Sequence, residues 1–63
     1  MVTKAEIIAY LVTQDYTPDE AEKCFVTYHD LLDAGNIHGL SSWAIGNSMI
    51  NFHMADVDKE NGL

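Results

Sequence analysis

Thr17-Pro18-Asp19-Glu20-Ala21-Glu22-Lys23-Cys24-Phe25 is the stretch that decides the fold class. Thr17 is a strong N-cap, and Pro18 at N1 carries a fixed φ and lacks an N–H where none is needed. Glu20 stands at N3, from which its carboxylate reaches back to the cap backbone. Asp19 and Glu20 also complement the positive end of the helix dipole. From this start, Ala21, Cys24, Phe25, Tyr28, Leu31 and Leu32 share one face at about 100° per residue. Asp19, Glu22, Lys23, Asp30 and Asp33 share the other. Tyr16 at N′ is placed to staple onto Ala21 at N4. Gly35-Asn36 reads as the C-terminal stop, so the pattern predicts one helix over 18–34.

Upstream, Thr3-Lys4-Ala5-Glu6 repeats the capping-box chemistry, and Ile7, Ile8, Leu11 and Val12 follow at helical spacing. A first helix is expected over 3–13. Downstream, Ser41 or Ser42 caps a third helix over 41–56, with Leu40 placed to staple onto Ile45. The polar residues 58–63 are expected to fray. The connections are short, as helix–helix loops are. The fold class is therefore all-α, a three-helix bundle-like arrangement in a single small domain spanning 1–63.

Composition excludes several classes of function. The chain has 63 residues, ten acids against three lysines, no arginine and a net charge of −7. Such acidity opposes direct nucleic-acid binding, which relies on lysine and arginine, and opposes a polybasic membrane anchor. A single cysteine excludes an intrachain disulfide. No charged n-region precedes an apolar h-region, so a secretory signal is not expected and a cytoplasmic location is. Short chains bury little surface, so the core is expected to be thin.

The charges are partitioned. All ten acids and all three lysines lie before Ala34 or after Ala55, and 11 of the 22 residues between are apolar. Asparagines, serines, glycines and histidines interrupt that window too often for a membrane span. Within the third helix, Ile45, Met49 and Phe52 lie on one side. Trp43, Ile50 and Met54 lie nearly opposite, with Asn47 among them. A helix apolar on two faces is buried on two. Three short helices offer few surfaces to cover both, whereas a second copy would add core. Gly46, costly inside a helix, fits a close approach by another helix. Trp43, Gly46, Asn47, Ile50 and Met54 are thus the candidate interface, and a homodimer or a protein partner is expected on it.

Other motifs carry less. Cys24 and His29 point about 140° apart on one helix, and no Cys-x-x-Cys or His-x-x-x-His pair exists, so no metal or other cofactor is expected. Cys24 reads as a small core residue and His29 as solvated. His38 and His53 fall in the uncharged window, where burial would tie association to pH. Asp56-Val57-Asp58-Lys59-Glu60-Asn61-Gly62 has a calcium-loop flavour but lacks the position-12 Glu. Neither a nucleophile motif, a phosphate loop nor a carboxylate pair in an apolar setting is present, so catalysis is not expected. Asp19, Glu22, Asp30 and Asp33 form a candidate acidic docking face. The alternative function it offers is an acidic inhibitor, a nucleic-acid-mimicking decoy of a basic host protein.

Asp15-Tyr16-Thr17-Pro18-Asp19-Glu20-Ala21 resembles the loop-to-helix entry of ubiquitin-associated domains, with Asp15 where that family has glycine. Ubiquitin binding is not carried over by these seven residues. The whole chain resembles, in size and composition, the short acidic helical proteins encoded by phages and prophages of Gram-positive bacteria. That resemblance implies a cytoplasmic protein acting by contact on a host factor.

Overall fold

A computed structural model describes residues 1–62 and is all-helical among them. Four helices follow one another: α1 (Lys4–Thr13), α2 (Pro18–Thr27), α3 (Asp30–Ile37) and α4 (Ser42–Glu60). The all-α class holds, but the helix expected over 18–34 is two helices. Both capping boxes form as read. Glu6 N–H donates to Thr3 Oγ1 and Thr3 N–H to Glu6 Oε1 (3.3 and 3.1 Å), and the Thr17–Glu20 pair repeats this at 3.2 and 2.9 Å. Ser41, not Ser42, caps α4, accepting from Ala44 N–H.

The break falls at Tyr28-His29, inside Val26-Thr27-Tyr28-His29, four consecutive residues of poor helix propensity. Thr27 Oγ1 donates back to the Lys23 carbonyl, and His29 Nδ1 donates to the Val26 carbonyl, so side chains satisfy acceptors at the corner. The turn tightens, with Leu31 and Leu32 N–H donating to the carbonyls three residues back. Neither glycine nor proline marks this corner.

The C-terminal ends of α1 and α3 follow the Schellman pattern. Tyr16 N–H donates to Leu11 O and Asp15 N–H to Val12 O, with Asp15 at φ +72°. At the end of α3 the equivalent bonds run from Leu40 to Gly35 and from Gly39 to Asn36, with Gly39 at φ +69°. The stop is therefore Gly39, and Gly35 sits buried within α3. At the other end of the chain, α4 continues to Glu60, so residues 58–60 of the expected tail are helical.

The core is Ile7, Leu11, Ala21, Cys24, Phe25, Ile45 and Met49, with Ile8, Tyr16, Tyr28, Leu31, Leu32 and Ile50 packed around it. The apolar face read across 21–32 thus does reach the core, turned through the corner. Helix α4 is the central element, packed against α1, α2 and α3. Glycines let it approach closely. A Cβ on Gly35 would stand 2.4 Å from Ile45 Cγ1, and one on Gly46 would stand 2.4 Å from Tyr10 Cδ2. The extended N-terminus is pinned to α3 by a paired amide contact: Val2 N–H donates to Asn36 Oδ1 (2.7 Å) and Asn36 Nδ2 to Val2 O (2.9 Å).

Candidate functional site

The residues that the sequence singles out on α4 divide between two surfaces. Gly46 is buried beneath the Tyr10 ring, and Asn47 Oδ1 accepts from the Tyr10 hydroxyl at 2.7 Å. The close approach expected at Gly46 from another molecule is supplied within the chain by α1. Trp43 and Met54 remain 61% and 58% exposed, and Ile50 is half-buried at the core margin. Phe52, expected on the inner face, is instead 55% exposed and lies against the Tyr28 ring, with centroids 6.2 Å apart. The core ends one turn before it, because α2 has already turned at Tyr28.

Val57 adds a member that the sequence reading missed. It is 38% exposed and three residues beyond Met54. Trp43, Asn47, Ile50, Met54 and Val57 are spaced 4, 3, 4 and 3, which is the seam of a helix-pairing repeat. At 3.6 residues per turn they occupy about 80° of arc. The repeat gives the signal that finds Val57, and it is hidden because Asp56 and Asp58 flank that residue. Every residue of α4 from Met54 onward is exposed. The seam is thus uncharged, mostly apolar and uncovered along its C-terminal half.

The four residues of the expected acidic face are carried by two helices rather than one. The corner separates Asp19 and Glu22 on α2 from Asp30 and Asp33 on α3. Glu22 Oε1 is held by Lys4 Nζ at 2.6 Å, and Asp30 Oδ1 stands 3.2 Å from His29 Nε2. All four residues are exposed.

A second region has more polar chemistry. A cleft of about 150 Å³ is lined by Glu20, Lys23, Cys24, Thr27 and His53. His53 meets Tyr16 and Tyr28 edge-on, at centroid distances of 6.0 and 6.5 Å. Burial pushes the Cys24 thiol upward, so it is protonated at neutral pH and is a poor nucleophile. The Tyr28 hydroxyl donates to Asp56 Oδ2, and that bond chiefly raises its phenol to about 12. Tyr16 is raised mainly by burial, with Cys24 and Glu20 adding to it. The Thr17 backbone bond, then the Thr17 side chain, holds Glu20 below the ordinary carboxylate range. His29 is exposed at the corner and His38 is exposed at the end of α3.

Among the described residues, no group of three His, Cys, Asp or Glu side chains is arranged to hold a metal ion. Residues 56–60 are helical, which is not the backbone of a calcium loop. No described helix is long and apolar enough to cross a membrane. Comparison with protein-family models, with curated proteins and with solved structures returns no match.

Proposed function

We propose that this protein is a small non-catalytic interaction module that self-associates through the outer seam of α4. One observation carries the reading: Trp43, Met54 and Val57 are exposed and, with the half-buried Ile50, line up at pairing-repeat spacing on a helix whose Ile45, Gly46 and Met49 are already buried within the chain. Trp and Met are enriched, and charge is depleted, at the centres of protein interfaces. The contact area that one short seam offers is small, which places the dimer in the weak, micromolar class.

The rival reading, an acidic decoy of a basic host protein, has less support. The corner divides the carboxylates, and Lys4 occupies one of them. Salt separates the two readings. Apolar pairing is nearly indifferent to ionic strength, whereas decoy binding weakens steeply with it.

Trp43 is the sole tryptophan and lies on the seam, so it reports directly. Its emission is expected to move to shorter wavelength as concentration rises from about 1 μM to several hundred μM, the range of a weak interface. The shift should be the same at low and high salt. A spectrum independent of concentration overturns the proposal.

A further inference from the structure

We infer that His29 is a proton-operated latch on the corner between α2 and α3, closed when its ring carries both protons and half-open when it carries one. His29 Nδ1 lies 2.9 Å from the Val26 carbonyl oxygen, and Nε2 lies 3.2 Å from Asp30 Oδ1. A carbonyl oxygen and an ionised carboxylate can only accept. A neutral imidazole has one N–H, so it serves one of these oxygens and turns a lone pair on the other. The imidazolium has an N–H on each nitrogen and donates to both at once.

The Val26 bond belongs to the construction of the corner. In an unbroken helix the Val26 carbonyl would accept from the N–H of Asp30, four residues on. Here the backbone bonds at the corner run from Tyr28 to Cys24, from Leu31 to Tyr28 and from Leu32 to His29. The donor at the Val26 carbonyl is the His29 ring. A side chain thus takes the place of the next turn of α2, the competition by which polar side chains end helices. Asp30, the first residue of α3, holds the far edge of the same ring. One imidazole therefore ties the last turn of α2 to the first turn of α3.

The charged groups around the corner set the direction of the response. Helix α3 brings Asp30 and Asp33 in its first turn, α2 brings Lys23, and Asp56 of α4 is engaged by the Tyr28 hydroxyl. The end of α2 favours a cation at His29 and the start of α3 opposes one, so the two dipoles offset. Asp30 is then the contact that follows the charge on the ring. Histidine changes charge between pH 5 and 8. The Asp30 bond is made on the acid side of that range and is lost as pH rises through it. The shorter Val26 bond retains the remaining proton, so the neutral ring is the Nδ1–H tautomer, whereas a solvated histidine favours Nε2–H. The pair is exposed and adds little to global stability, so the latch is read locally.

Nitrogen NMR of the histidine rings on the full chain, from pH 5 to pH 8, tests this, with the exposed His38 as reference. On the alkaline side His29 is expected to carry its proton on Nδ1 and His38 on Nε2. The Asp30 carboxyl carbon and the Asp30 and Leu31 amides are expected to shift together with the His29 ring. His29→Ala, at an exposed position, should leave the fold intact and remove those shifts over the same range. An Nε2–H tautomer at His29 overturns the inference, because the ring then does not hold the Val26 carbonyl. So does an Asp30 carboxyl carbon that stays still while His29 titrates, or one that still shifts in His29→Ala.

Discussion

The two long faces of α4 are built on opposite plans. Toward its own chain the helix presents Ile45, Gly46 and Met49, which are buried; small residues there admit Tyr10, and Gly35 of α3 admits Ile45. Away from it the helix presents Trp43, Met54 and Val57, apolar side chains with more than a third of their surface in water. The inner face gains its stability from close approach, and the outer face retains large apolar area beyond what a core of this size absorbs. One helix therefore has a face that specifies the monomer and a face suited to another molecule.

Met49→Ala strikes the inner face hardest. Deleting a fully buried methionine costs about 2–5 kcal/mol, against a total of about 3–9 kcal/mol for a chain of this length. Denaturant unfolding should show the variant largely or partly unfolded in water. Gly35→Ala acts from the opposite direction, by overpacking Ile45, and should cost about 1–3 kcal/mol in spite of alanine's better helix propensity. A stabilised Gly35→Ala variant would mean that the two helices are further apart than described.

Asp15→Gly sharpens the comparison by strengthening the monomer without touching the seam. Asp15 holds φ +72°, a conformation that glycine adopts freely, so about 1 kcal/mol of gain is expected. For a small domain that corresponds to a rise of about 4–8 °C in Tm. Association measured by Trp43 emission should be unchanged.

Acid acts on the frame in the same selective way. The folded pKa of Glu20 is depressed from 4.5, so its contribution is present above that value and is lost as pH falls through the lower folded one. Glu20→Gln should flatten that part of the stability profile, as followed by circular dichroism. Tyr28 has the opposite sign. Its phenol is raised to about 12, so the stability that it adds is complete below pH 10 and is lost as pH climbs toward 12. The smallest effect on folding is expected from Trp43→Glu, within about 0.5 kcal/mol for the monomer. The same change should abolish association, which separates the two faces in one variant.

The legible parts of this fold were those written in local chemistry. Thr3, Thr17 and Ser41 cap as their neighbours indicate, and the apolar spacing of 7–11 and 21–32 finds the core. The corner at Tyr28-His29 was not legible, because it arises from four residues of mediocre propensity and two side-chain bonds rather than from a breaker. Gly35 misled for a related reason: a glycine can mark a helix end or a close packing contact, and only the position of Ile45 tells which. The same holds at Gly46, where Tyr10, a half-buried aromatic on a short helix, supplies the neighbour. The outer seam was partly readable from Trp43, Ile50 and Met54. Val57 completes it only once α4 is known to run to Glu60.

Sedimentation equilibrium on the unaltered chain, over the same concentration range at low and high salt, tests the central claim most directly. The seam predicts a mass rising from 7.0 kDa toward twice that value with little dependence on salt, and Trp43→Glu remaining at 7.0 kDa throughout. A mass of 7.0 kDa for the unaltered chain at several hundred micromolar, a concentration at which a micromolar dimer is formed, would contradict it.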